Sequence, residues 1–203
     1  KALPDVQALS EAPEDELLKL WEGLGYYNRV RNMQKAARVI VSEYGGDFPA
    51  DYEKLLSLPG LGHYTAGAVS SIAFGIPMPA VDGNVLRVLS RVTASYEDVL
   101  KQSVKTAMEA EVKKIIPADR AGDFNQALIE IGAIVCVPNG KAKCEICPLA
   151  FLCEAYKKGI VDELPKKKVK KERRIEDRTI LILKEGDRVG IRKRPSKGLL
   201  AGL

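Results

Sequence analysis

Apolar residues recur at helical spacing in successive blocks from residue 12 to residue 135, with glycine, proline and short polar runs between them. The first block opens on Ala12-Pro13-Glu14-Asp15-Glu16, placing proline and acids where a helix N-terminus favours them. It carries Leu17, Leu18, Leu20 and Trp21 on one face and stops at Gly23 and Gly25. A second helix fits residues 28–44, with Val30, Met33, Ala37, Ile40, Val41 and Tyr44 expected inward and Gly45-Gly46 as its stop. A short helix fits 52–58, another carries Ala66, Val69, Ile72 and Ala73, and further helices fit 84–94, 101–116 and 121–135. After residue 178 the period changes. The runs 179–183 and 188–192 flank Lys184-Glu185-Gly186-Asp187, which predicts a β-hairpin opening a second domain. The pattern describes a mainly α chain: a helical domain over 1–157, a linker over 158–177 and a small domain from 178.

Residues 58–84 carry the candidate chemistry. Leu58-Pro59-Gly60-Leu61-Gly62 is a tight hairpin in which Pro59 presets its own φ and both glycines are free to turn left-handed. Successive N–H groups can then converge on an anion just before a helix begins. Two prolines, Pro77 and Pro79, break the helix that follows, and Asp82 stands immediately before the next one. By itself an aspartate there reads as an N-cap. The anion nest upstream makes it a candidate for chemistry as well.

The formal net charge is +5, but its distribution matters more than its sum. Residues 165–178 hold eight Lys or Arg against three acids, whereas residues 1–164 are net −4. Any nucleic acid held by the helical part must therefore be gripped by backbone nests and a few placed side chains, with the basic run adding salt-sensitive attraction. That run, Lys166 to Arg174, reads equally as a solvated tether, a nuclear-import-like patch or a DNA contact. No apolar stretch approaches membrane-spanning length, so no membrane partner is expected. The first residue, Lys1, and the last pair, Gly202-Leu203, read as the ends of a segment of a longer intracellular protein.

All four cysteines, Cys136, Cys144, Cys147 and Cys153, fall in one stretch, separated by seven, two and five residues. Four thiolates so close in sequence can enclose one metal centre, either a tetrahedral zinc ion or a cuboidal iron-sulfur cluster. His63 is the only histidine, so no histidine-based metal site or Ser-His-Asp relay is expected from this sequence, which sets several hydrolase classes aside.

Together these stretches resemble the MutY adenine DNA glycosylases. The resemblance rests on the 58–62 hairpin, Tyr64-Thr65-Ala66-Gly67-Ala68, Val81-Asp82-Gly83-Asn84-Val85, the run from Gly23 to Asn32 and the four-cysteine loop. The tail from Arg192 to Leu203 resembles the opening of that family's MutT-like C-terminal domain. The resemblance implies a helix-hairpin-helix DNA glycosylase fold with a 4Fe-4S cluster loop at 136–153, followed by the start of a small α/β MutT-like domain at 178–203. It implies a monomer that removes adenine mispaired with 8-oxoguanine or guanine in duplex DNA, in the cytoplasm of a bacterium or in the nucleus or mitochondrion of a eukaryote. The gap between the first two cysteines is one residue longer than the family pattern, which lengthens a loop and leaves the ligand count unchanged.

By the same resemblance, Asp82 stabilises an oxocarbenium-like sugar, Asn84 orients it and Tyr64 assists. Leu58, Gly60, Gly62, Arg29 and Arg31 contact DNA, and Tyr26 wedges into the duplex. Tyr64 stands where the related endonuclease III enzymes carry a Schiff-base lysine, so a monofunctional glycosylase is expected. The family's general-acid glutamate lies N-terminal to the matched region, and the segment is expected to lack it. This keeps open a second reading, a non-catalytic iron-sulfur or zinc DNA-binding module.

Overall fold

The computed structural model describes residues 2–168, 175, 177, 179–192, 194, 195 and 198. The chain divides into two compact units, residues 1–168 and 169–203. Among the described residues the first unit is helical: α1 Val6–Glu11, α2 Glu14–Leu20, α3 Tyr27–Tyr44, α4 Tyr52–Ser57, α5 His63–Phe74, α6 Gly83–Val92, α7 Gln102–Ile115, α8 Ala121–Glu130 and α9 Glu154–Lys157. No helix among them is long and apolar enough to cross a membrane.

Local chemistry explains most boundaries. The carboxylates of Asp5 and Asp51 accept the N–H groups of Ala8 and Lys54 and cap α1 and α4. Gly45 ends α3 in the left-handed region, and Gly46 N–H returns to the carbonyl of Ile40. α1 was not expected from the periodicity; its signal is the Asp5 cap, and its six residues contain too few turns to show a period.

Two apolar clusters form the core. One gathers Ala36, Ile40, Leu55, Leu58 and Ala66 from α3, α4 and α5. The other gathers Val81, Val85, Leu86, Val88, Val99, Val112 and Leu128, chiefly around α6.

The inward face of α5 differs from the expected one. Ile72 and Ala73 are exposed, and the buried set is Ala66, Gly67, Ser70 and Ser71. The cause is close backbone approach: a Cβ on Gly67 would lie 1.9 Å from the carbonyl oxygen of Pro79, and one on Gly122 would lie 2.9 Å from that of Ser71. Only small residues fit such a seam. Met33 is likewise turned outward on α3. The helix expected over 121–135 changes at its end, where Ile131–Val135 forms a π turn. The carbonyl of Gly132 there accepts from Arg87 at 2.6 Å, and Cys136 N–H reaches back to Ile131.

Residues 158–168, which the charge pattern places in the linker, lie in the first unit, and Arg91 donates to the carbonyls of Val161 and Leu164 there. The second unit contains a hairpin of β1 Lys184–Glu185 and β2 Arg188–Val189, with Lys184 opposite Val189 and Glu185 opposite Arg188. It is shorter than its apolar runs suggest. Ile180, Leu181, Ile182 and Ile191 are exposed, so no packed face extends the ladder.

Candidate nucleic-acid interface and catalytic pocket

The 58–62 hairpin joins α4 to α5. Leu58 is buried and anchors it, and Leu61 N–H closes the turn on the Leu58 carbonyl. Gly60 has φ +82°, and a Cβ there would fall 2.6 Å from that of Asn32. Gly62 departs from expectation: it is extended (φ −94°, ψ 178°) and serves as the N-cap of α5 without a side-chain cap bond. The first turn of α5 holds no acid, so its leading N–H groups face an exposed surface suited to an anion. His63 Nδ1 is paired with the Tyr52 hydroxyl at 2.9 Å.

Tyr26 is 90% exposed. It is left-handed (φ 47°, ψ 46°), a conformation costing a non-glycine residue about 1–2 kcal/mol. The loop that holds it is closed by Trp21 Nε1 donating to the Gly25 carbonyl and by Arg29 N–H donating to that of Tyr26. Arg29 is exposed, whereas the half-buried Arg31 spends its Nε on Glu14 at 2.8 Å and ties α2 to α3.

Asp82 is held from several sides. Its Oδ1 accepts the N–H groups of Asn84 and Val85 at 2.8 and 2.9 Å, and its Oδ2 accepts from Asn84 Nδ2 at 2.9 Å. The carboxylate is thus both the N-cap of α6 and a wall of an open pocket of about 340 Å³, lined also by Tyr64, Leu86, Lys105 and Lys167. The segment leading to it is clamped by Asn125, which is 1% exposed. Its Oδ1 accepts Ala80 N–H, and its Nδ2 donates to Ser71 Oγ and the Met78 carbonyl.

Behind Asp82, Arg87 donates to Asn84 Oδ1 at 2.8 Å, to the Gly132 carbonyl and, through Nε, to the Cys136 carbonyl at 2.7 Å. A continuous hydrogen-bonded path therefore runs from Asp82 through Asn84 and Arg87 to the first cysteine. Burial pushes the Arg87 guanidinium below its ordinary value, opposed by Cys136 and Asp82 and reinforced by Arg91.

One turn later, Arg91 Nη1 donates to Cys136 Sγ at 3.2 Å, and Cys153 Sγ approaches the Arg91 carbonyl at 3.4 Å. All four cysteines line one small cavity of about 20 Å³. As they stand, no three His, Cys, Asp or Glu side chains among the described residues are gathered as a single-ion site. Burial pushes the Cys144 thiol up, with Cys136, Cys153, Cys147 and Glu145 adding to it.

The structure therefore brings Asp82 and Tyr64 to one pocket, with Asn84 hydrogen-bonded to Asp82 behind its lining, and the cysteines to one cavity, with Leu58, Gly60 and Gly62 in the hairpin that opens α5. Asn125, Arg87, Arg91 and Gly132 support the site and were not anticipated. Arg87 and Arg91 did carry a signal, two charges one turn apart within the mostly apolar stretch Val85 to Val92.

Comparison with known proteins decides the family. Residues 1–117 match the model of the HhH-GPD superfamily base excision DNA repair proteins. The chain belongs to this superfamily. Among HhH-GPD relatives it is similar to the adenine DNA glycosylase of Buchnera aphidicola subsp. Baizongia pistaciae, 36% identical over 98% of this chain and 56% of that protein. It is also similar to that of Homo sapiens, 46% identical over 75% of this chain and 28% of that protein. The chain thus spans little more than half of the first relative and under a third of the second. Among solved structures it resembles a thermostable thymine-DNA glycosylase (TM-score 0.65, 32% identity, 76% of this chain and 70% of that one). A non-covalent endonuclease III–DNA complex is equally close (TM-score 0.65, 33% identity, 77% and 72%).

Proposed function

We propose that the protein containing this chain is an adenine DNA glycosylase acting on adenine opposite 8-oxoguanine or guanine in duplex DNA. The observation that carries this reading is Asp82, a carboxylate fixed by three hydrogen bonds at the wall of a pocket shared with Tyr64, within a HhH-GPD fold. The adenine glycosylases among its relatives supply the base.

Breaking the bond between C1′ and the adenine leaves positive charge on the sugar and negative charge on the base. Asp82 meets the former. Its two oxygens already accept from the start of α6, so the carboxylate is fixed in place and needs little reorganisation as the sugar charges. Asn84 fixes the plane of the carboxylate, and Tyr64 borders the same space. The adenine leaves with a proton, and water supplies the hydroxyl at C1′. The hairpin amides around Gly60 and Gly62 hold a phosphate while the nucleotide is out of the stack, and Tyr26 fills the gap.

Cys136, Cys144, Cys147 and Cys153 would hold a 4Fe-4S cluster. Four thiols lining one cavity, with no three ligands among the described residues gathered closely enough for one ion, fit a polynuclear core better than a lone zinc ion with sulfurs at about 2.3 Å. Such a cluster would supply a covalent tie across the 136–153 loop through these four thiolates.

Single-turnover base release by the full-length protein, on adenine:8-oxoguanine and adenine:guanine duplexes, tests the reading. Release that survives Asp82→Asn undiminished overturns it. Mismatch-selective binding without any release favours a DNA-binding module instead. Brown protein containing iron and sulfide supports the cluster; colourless protein with stoichiometric zinc refutes it.

A further inference from the structure

The pocket at Asp82 contains two residues that glycosidic chemistry leaves unused, Lys105 and Lys167. They come from distant parts of the chain, the first turn of α7 and the segment after α9. A lysine in the first turn of a helix faces the positive end of the helix dipole, and the first turn of α7 has no acid to offset it. Among the described residues neither lysine has an ion-pair partner. Asp82 does not neutralise them through a hydrogen bond, because its oxygens accept from Asn84 and Val85. With two cations and one carboxylate on its lining, the pocket keeps an excess of positive charge.

Lys167 is held in place by its neighbour. Lys166 forms a parallel bridge with Asp98, accepts Val99 N–H at 3.2 Å, sits 5.1 Å over the ring of Tyr96 and reaches Glu163 at 3.8 Å. The Tyr96 hydroxyl donates to the same Glu163 carboxylate. Successive side chains of extended backbone point to opposite sides, so binding Lys166 to Tyr96 and Glu163 directs Lys167 away from them and into the pocket.

We propose that Lys105 and Lys167 form a phosphodiester subsite of the Asp82 pocket, holding the phosphate next to the nucleotide whose sugar faces Asp82. The inference rests on the glycosylase reading of that pocket. Tyr64, two residues after Gly62, lines the same pocket as the lysines, so the first turn of α5, which opens at the hairpin, lies beside it. A nucleotide turned out of a duplex leaves the backbone loose on both of its flanks, and this arrangement grips each flank by a different chemistry: backbone amides at the hairpin, ammonium groups at Lys105 and Lys167.

The test measures binding of the full chain to a duplex carrying a non-cleavable 2′-fluoro adenosine opposite guanine. One neutral methylphosphonate is placed in turn at each phosphate flanking the adenosine. The parent chain should lose about tenfold in affinity at one flanking position. The double variant Lys105→Met/Lys167→Met should lose a similar factor on unmodified DNA and nothing further from the methylphosphonate at that position, while remaining sensitive at the hairpin's phosphate. Its salt dependence should fall by about two counterions, and the double arginine variant should keep most of the affinity. Losses that multiply independently at every position, or an unchanged salt slope, overturn the subsite. A full-length protein that does not prefer the adenine:guanine duplex over a matched one overturns the glycosylase reading and the subsite with it. Preference retained with independent losses removes the subsite alone.

Discussion

Gly132 and Asn84 are packed so closely that a methyl group on the glycine would lie 2.6 Å from the Cβ of the asparagine and 2.9 Å from its carbonyl oxygen. The π turn that carries Gly132 therefore supports the residue that orients Asp82. The same turn offers its carbonyl to Arg87, so one glycine serves both the packing and the hydrogen bonding behind the pocket.

Gly132→Ala should push α6 and the π turn apart, since backbone atoms cannot yield as a flexible side chain would. We expect a loss of about 1–3 kcal/mol, measured by denaturant unfolding. Base release in the full-length protein should fall further than the unfolded fraction accounts for, because Asn84 moves with the clash. Unchanged stability would show that the two elements tolerate separation.

Asp82→Asn separates capping from catalysis. Asparagine caps helices about as well as aspartate, so thermal stability should change little. The carboxylate charge is lost, and single-turnover base release should fall by about 10²–10³-fold. A large drop in melting temperature would mean that the residue matters chiefly to α6.

Arg91 is 6% exposed and donates to the carbonyls of Val161, Leu164 and Val137 as well as to Cys136 Sγ. Arg91→Leu leaves those acceptors without their donor at a cost of about 1–3 kcal/mol each at most. The 158–168 segment should become the first site of limited proteolysis, and metal content on purification should fall. Protection equal to that of the parent protein would contradict the assignment.

Burial, with Glu109 and then Glu53 adding to it, raises the Tyr52 phenol above its ordinary value. The folded state therefore holds this proton more tightly than the unfolded one. The resulting stabilisation is complete below the unfolded tyrosine value and is lost as pH rises through the folded one. The hydrogen bond to Glu163 raises the Tyr96 phenol as well, so ultraviolet difference titration should show more than one tyrosine ionising late, and Tyr52→Phe should remove only its own share of that phase and the matching part of the alkaline loss of stability.

The helical order, the hairpin, Asp82 and the cysteine loop were legible because each has a local cause: a period, a stop, a cap, a spacing. The inward face of α5 was not. Periodicity ranks residues by apolarity, whereas this face was chosen by backbone contact, which favours Gly67 over Ile72. Gly62 escaped for a related reason: glycine permits a left-handed turn without requiring one, and of the two hairpin glycines Gly60 alone uses it. Asn125, Lys105 and Lys167 act through tertiary proximity across tens of residues, which no local pattern records.

The contact between Gly67 and Pro79 has a consequence for distance. Peptide meets peptide there, and peptide groups have no rotamers to exchange. A seam filled by leucines can settle into several spacings as neighbours change; this one has a single spacing. The span from the hairpin at the start of α5 to the carboxylate beyond Pro79 is thus a fixed gauge, and the surrounding hydrophobic core can vary without altering how far along a strand the chain reaches.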